Sequence, residues 1–293
     1  MKVAIVGSRS WLAPHIETEL KSRHLDVEYI AKGDVPYEDM TAYSAVILIA
    51  GRARPDKAEI AREEELVNAA CTNQDQPRRM LYISSCAVDR WERGSRPLSL
   101  AGEQYVLTKK RCETMVCGKP NGIRKADGFA IRLPVIFGEG QSLDSDMLVP
   151  SVARAHLTKT PLELAQPLMP FELVHVSDAA RAVVDFLGEH DPLPVRSVRS
   201  DLHTPLRLVS VMAPGIPMIV RQGWQYHPAT STPEAGQRHL TEVNYRLKDG
   251  DLVRTMEWYD QYDRARLAEI QRQTELEGPD MLALPPGKGI IDV

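Results

Sequence analysis

Hydrophobic and polar positions change rhythm along the chain. In the first half, short apolar and β-branched runs predict strands: KVAIV at 2–6, DVEYI at 26–30, SAVILIA at 44–50, RMLYISS at 79–85 and GFAIRLPVI at 128–136. Between them, helical spacing covers 11–23, 56–73 and 101–117. Strands apolar on both faces and separated by helices predict a parallel sheet with helices on each side, joined by right-handed crossovers. The link from Ile30 to Ala45 is short and contains Gly33, Asp34 and Pro36, so one β/α unit is expected to be shortened or missing there.

Beyond Phe137 prolines become frequent, and helical stretches at 147–157 and 177–188 stand between loops. That texture predicts a smaller lobe at the carboxyl ends of the strands, where open α/β sheets bind ligands. From about Tyr262 the run QYDRARLAEIQRQTELEG is polar and helix-favouring. It reads as an accessory helix and tail, or as a subunit-contact segment.

Composition narrows the class. The chain has 293 residues, 43% hydrophobic and 26% charged, the balance of a globular protein with a sizeable core. The net charge is -4, with Lys and Arg spread along the chain, which argues against nucleic acid as a partner. No run approaches the ~18 to 20 apolar residues of a bilayer span, and the N-terminus lacks a signal-peptide layout, so a cytoplasmic protein without a membrane partner is expected. Cys71, Cys86, Cys112 and Cys117 show no C-x-x-C spacing and the histidines form no helical pair. Free thiols and no metal are expected.

Two stretches carry candidate chemistry. GSRSWLAPHIETEL follows the first strand and places Gly7, Ser10 and Ala13 at the spacing of a G-x-x-G-x-x-G phosphate turn. The turn-forming glycine remains and both replacements are small, while the helix start still offers N–H groups to a phosphate. The same pattern also serves as an ordinary strand-to-helix turn. In QYVLTKKRCE, Tyr105 and Lys109 share one helix face. An ammonium beside a phenol favours the ionised oxygen, which suits Tyr105 to general acid/base work. A surface Tyr and Lys on an amphipathic helix is the alternative. Upstream, LYISSCAV brings Ser84 and Ser85 to the end of a buried strand.

In this order the segments resemble the short-chain dehydrogenase/reductases, specifically the extended branch that includes nucleotide-sugar epimerases and reductases. Besides the turn, the serine strand and the YVLTK helix, IRLPVIFGEG is similar to the family's R-L-x-N-V-Y-G-P-G, FELVHVSDAARAV to its F-V-H-V-x-D-V-A-x-A, and RTMEWY to the close of its last helix. The resemblance runs from Met1 to about Tyr262. It implies an α/β fold, a Rossmann-type doubly wound parallel sheet with a small C-terminal substrate lobe. The dinucleotide-binding part is then 1–140, with 172–190 returning to it. The substrate lobe takes 141–171 and 191–262, and 263–293 is the tail. The implied triad is Ser85, Tyr105 and Lys109: Tyr105 as acid/base, Lys109 holding the ribose and tuning Tyr105, and Ser85 orienting the substrate oxygen. Cofactor contacts are implied at Gly7, Arg9, Ser10, Trp11, Leu12, Lys32, Ala50, Gly51, Arg52, Ser84, Tyr105, Lys109, Leu133 and Val135. The implied partner is a small-molecule substrate, a nucleotide-linked sugar by family frequency. Helices 56–73 and 101–117 match those that build a four-helix homodimer interface in many relatives.

Departures shape the expectation. Ser10 and Ala13 replace glycines, Asp89 and Arg90 replace Tyr and Gly, Val135 replaces an Asn that contacts the nucleotide sugar in many members, and 57–70 lacks N-x-x-G. Dehydratase members carry an acidic pair where Cys86 and Ala87 stand, so 4,6-dehydration is disfavoured. Arg9 and Lys32 sit where cations would hold a 2'-phosphate, which favours NADP(H) over NAD(H); solvated surface charges are the alternative. Cys86 reads as a core thiol rather than an acid/base, His175 as a core histidine, and Asp178 as a helix-start charge. Trp224, Tyr226 and His227 fit either a substrate pocket or a loop anchor. The competing function is a dinucleotide-binding or regulatory protein of the same fold without catalysis.

Overall fold

A computed structural model describes residues 1–50, 57–73, 75, 77–94, 100–118, 127–145, 147–164, 167–190, 192–220 and 243–277. In chain order the elements are β1 (Lys2–Val6), α1 (Ala13–Ser22), β2 (Asp26–Ile30), β3 (Ala45–Leu48), α2 (Lys57–Thr72), β4 (Arg79–Ser85), α3 (Ala87–Glu92), α4 (Leu100–Cys117), β5 (Asp127–Leu133), β6 (Val135–Phe137), α5 (Leu148–Thr158), β7 (Leu162–Leu164), β8 (Phe171–His175), α6 (Val176–Gly188), β9 (Val195–Ser200), β10 (Leu202–His203), α7 (Pro205–Met212), β11 (Met218–Val220), β12 (Val243–Tyr245) and α8 (Asp249–Glu277). The fold is α/β, with a Rossmann-type parallel sheet flanked by helices.

Two compact units divide the chain: 1–136, 176–200 and β12 form one, and 137–175, 201–220 and 246–277 form the other. The first is built on a seven-stranded sheet in the order β12-β9-β5-β4-β3-β1-β2. Every pairing in it is parallel. Strand order reverses between β1 and β3, and at such a switch point the carboxyl ends of the strands leave a crevice. The apolar residues of β1, β3 and β4 are buried on both faces, as continuous hydrophobic runs require. In α1 the buried positions Ala13, Ile16 and Leu20 trace one stripe at helical spacing.

Residues 31–44 contain no strand and no α-helix, only a short 3₁₀ turn, Met40–Ala42, whose Thr41 amide donates to the Asp39 carboxylate at 3.0 Å. The shortened unit read from the sequence is therefore present as a loop. Asn73 at the end of α2 latches it, its side-chain amide donating to the Val35 and Glu38 carbonyls at 2.9 and 3.0 Å. The run at 128–136, expected as one strand, is two. Pro134 separates β5 from β6, because proline has no N–H to continue a ladder.

In the second unit β7 pairs with β11 in parallel and β8 with β10 antiparallel. Thr204 caps α7, accepting the Arg207 amide at 3.3 Å. The first turns of α8 bury Leu252, Thr255, Met256 and Tyr259, again one helical stripe, while Trp258 stacks on Tyr262 with ring centroids 5.0 Å apart. His175 is buried at the end of β8, edge-on to Phe137 at 5.2 Å, with Nε2 3.0 Å from the Glu139 carboxylate. Trp224, Tyr226 and His227 lie outside the described residues.

Candidate active site

The site of interest is assembled wholly within the first unit, from residues at the carboxyl ends of β1, β2, β3, β4 and β5. Gly7 leaves β1 with φ +109°, and a β-carbon there would stand 2.1 Å from the Ile49 carbonyl oxygen. Only glycine allows both that backbone and that approach. Beyond it the Ser10 amide donates to the Gly7 carbonyl at 2.9 Å and the Ala13 amide to the Ser10 carbonyl at 3.0 Å. The Leu12 amide reaches the Ser10 hydroxyl at a long 3.4 Å. Pro14 follows at the helix start, where its missing N–H costs nothing. Trp11 and Ser10 are half-buried and Leu12 is buried.

This turn fits a pyrophosphate. Its second and third glycine positions carry only a hydroxymethyl and a methyl group, and the weak Ser10–Leu12 bond puts an oxygen where an anion's oxygen would accept the same amide. The two cations follow the adjacent, paired strands β1 and β2. Arg9 is exposed, and Lys32 donates to the Ala50 carbonyl at 3.0 Å, reaching across to the end of β3. Leu133 is buried and Val135 half-buried on either side of Pro134. Gly51 and Arg52 lie outside the described residues.

The serines of β4 diverge, as successive residues of a strand must. Ser84 turns inward and donates to Glu113 at 2.5 Å. Half-buried Ser85 accepts the Ala87 amide at 3.2 Å, which opens α3 and leaves its own hydroxyl proton to donate elsewhere. Cys86 is buried, its thiol donating to the Arg132 and Val198 carbonyls at 3.3 and 3.2 Å.

On α4 the stripe Tyr105, Lys109 and Glu113 faces β4 one turn apart each. Lys109 Nζ lies 5.7 Å from the centroid of the Tyr105 ring and 5.0 Å from that of Tyr82, and donates to the Ile83 carbonyl at 3.3 Å. Its side chain is 5% exposed and bridges to Glu63 of α2 at 2.8 Å. The Tyr82 hydroxyl donates to the same carboxylate oxygen at 2.6 Å. Burial alone would pull the lysine below its usual range, but the Glu63 charge reverses this and raises it. Burial and the same charge hold the Tyr82 phenol well above its usual range and push the Cys112 thiol up to about 12.

One turn further along, Glu113 takes both Nε and Nη2 of Arg132 at 2.8 and 2.6 Å. Arg132 Nη1 also donates to Asp89 at 2.5 Å and Glu92 at 2.8 Å. Asp89 in turn accepts Ser197 at 3.0 Å and lies 3.3 Å from Arg199. Glu63, Tyr82, Glu113 and Arg132 were not singled out by sequence reasoning. The signal was available in helical phase: Glu63 lies three, four and seven residues before the apolar Leu66, Val67 and Ala70, on the face that packs inward.

Among the described residues no group of His, Cys, Asp and Glu side chains could hold a metal ion, and no helix is long and apolar enough to cross a membrane. No protein-family profile and no curated protein matches the chain. Solved structures do. A GDP-L-fucose synthetase from Naegleria fowleri superposes with a TM-score of 0.66 at 10% identity, covering 90% of this chain and 94% of the other. The chain shares the fold of that enzyme. An NAD-dependent NDP-hexosamine 5,6-dehydratase of tunicamycin biosynthesis gives 0.65 at 14% identity over 89% of this chain and 98% of that one. The UDP-glucose 4-epimerase of Thermus thermophilus, solved with NAD, gives 0.63 at 17% over 89% and 99%. These neighbours include a synthetase, an epimerase and a dehydratase, so the fold does not separate those chemistries.

Proposed function

We propose that the protein is an NAD(P)-dependent oxidoreductase or epimerase acting on a carbonyl or alcohol carbon of a nucleotide-linked sugar. The observation that carries this reading is the Lys109 ammonium, which neighbours both the end of β4 and the Tyr105 ring, in a unit whose β1 turn fits a pyrophosphate. The nucleotide-sugar class is supported by what the structural neighbours act on. The dinucleotide is assigned to the first unit, which includes β9 and β12, and the substrate to the second.

Gly7, Ser10, Trp11 and Leu12 would hold the pyrophosphate, Lys109 a ribose hydroxyl, and Arg9 with Lys32 the 2'-phosphate that makes NADP(H) the preferred cofactor. When bound, a nicotinamide supplies hydride donation and acceptance. The chain's own part is the proton and the aim. Tyr105 gives or takes the proton at the substrate oxygen, and Ser85, whose oxygen already accepts Ala87 N–H, directs its own proton to that oxygen. Cys86 takes no part, since its thiol is spent on core carbonyls. The α2 and α4 faces, joined by Arg111 Nε donating to Glu64 at 2.7 Å, are the proposed homodimer surface.

Tyr105→Phe, Lys109→Met and Ser85→Ala separate the roles. With a nucleotide-linked ketosugar turned over by the wild type, Tyr105→Phe should keep dinucleotide affinity and lose ~10² to 10⁴ in rate. Ser85→Ala should lower the rate alone, and Lys109→Met should lower both. Wild-type dinucleotide affinity in Lys109→Met would contradict the reading.

A further inference from the structure

We infer that Glu63 is a positioning residue for Lys109: its buried carboxylate holds the ammonium in place and charged beside Tyr105. The inference rests on the dinucleotide reading above for its consequence, though not for the pairing itself. Lys109 and Glu63 side chains are 5% and 1% exposed. An ammonium has three N–H donors. Among the described residues one goes to Glu63 Oε1 and one to the Ile83 carbonyl, and the third would be the one offered to a hydroxyl of a bound ligand.

The groups facing the ammonium are Glu63 from α2, Tyr82 from β4, and Tyr105 and Cys112 from α4. Glu113, a turn away, is committed to Arg132 and Ser84. Of those facing groups only Glu63 is a carboxylate. Tyr82 donates to the same Oε1, so it fixes the carboxylate without neutralising it. Among the described residues Oε2 has no hydrogen-bond partner, and both Tyr82 and Lys109 donate to Oε1. A fully buried lysine without a counter-charge gives up its proton several pH units early. Remove the charge of Glu63 and keep its shape, and Lys109 becomes a neutral amine in the working pH range. It would then be a poorer donor to a ribose hydroxyl and no longer a cation beside the Tyr105 oxygen.

The test is Glu63→Gln, followed by NMR of protein labelled with ¹³C at the lysine side chain, with Lys109→Met assigning the resonance. In wild type Lys109 should remain protonated to beyond the usual ~10.4; in Glu63→Gln it should titrate at least ~2 pH units lower. With NADPH as probe, wild-type affinity should be flat from about pH 7 to about pH 9, whereas that of Glu63→Gln should fall at least ~5-fold across the same range, toward the Lys109→Met value. A lysine that titrates as in wild type, or an affinity loss equal at every pH, would overturn the inference. Should Glu63→Gln fail to fold, Glu63→Gln/Lys109→Met removes both charges and still offers Tyr82 an acceptor. A folded double variant supports the pairing, and an unfolded one overturns it. The NMR arm needs no dinucleotide, so a wild type that takes up no NADPH while Lys109 still titrates low in Glu63→Gln removes the enzyme reading and supports the pairing.

Discussion

A β-carbon at position 7 would meet the backbone of Ile49, an atom that cannot rotate away, and the residue's φ of +109° adds strain for any L side chain. Gly7→Ala should therefore cost more than ~2 kcal/mol in a urea melt and remove dinucleotide binding, since relief requires β1 to part from the end of β3. Retained affinity and stability would show that the turn has slack the structure does not. At this scale the sequence revealed the residues whose type and spacing are themselves chemistry: Gly7 at a turn, Tyr105 and Lys109 one turn apart, and Ser85 at a strand end. It did not reveal Glu63 or Glu113. A carboxylate in EEEL or KRCET reads as a solvated helix face, and only its phase against Leu66 and Val116 shows that it points inward.

Helix α4 is held in register by buried contacts. Lys109 binds the Ile83 carbonyl and Glu113 the Ser84 hydroxyl, so two buried contacts set where Tyr105 stands along β4. Arg132 anchors the second of these through Glu113 and ties it to α3 through Asp89 and Glu92. Arg132→Met would leave Glu113 as an uncompensated buried charge and Asp89 with Arg199 as its remaining cation, and removal of one partner from such a set typically costs about 3–5 kcal/mol. Chemical denaturation should show a loss of that order; one below ~1 kcal/mol would mean that the network is not what holds α4 on the sheet. The elements themselves were largely legible, because continuous apolar runs and helical stripes are properties of local sequence. The break at Pro134 was legible too in principle, as a residue without an N–H inside a run of strand formers. What local pattern could not supply was the partner of each buried charge, since Glu63 and Lys109 are 46 residues apart and Asp89 and Arg132 are 43 apart.

Across the whole molecule, several buried groups are held in their protonated forms. Burial and Glu63 push Cys112 up to about 12, and Tyr82 and Lys109 also lie above their ordinary values. A native value raised above the unfolded one gives stability that is complete below the unfolded pKa and is lost as pH rises through the native one. With an unfolded thiol near ~8.5, stability should decline steadily from about pH 9 toward about pH 12. Cys112→Ala should flatten that decline in melts run across the range, and an unchanged slope would count against the burial of this thiol. The loop at 31–44 followed from the sequence because a short link between two apolar runs leaves no room for a crossover helix. The second unit was less legible, its strands being only two to five residues long and its loops rich in proline.

In the proposed function the β1 turn holds a dinucleotide, and Arg9 and Lys32 choose which one. Titration of the wild type with NADPH and with NADH, followed by nucleotide fluorescence, measures it directly. Both nucleotides should bind saturably, NADPH the tighter. Neutralising Arg9 and Lys32 together should erase most of that preference, at roughly 1.5–3 kcal/mol per charge-assisted contact. No saturable binding of either nucleotide would contradict the site, and equal losses for both on neutralisation would contradict the cofactor assignment.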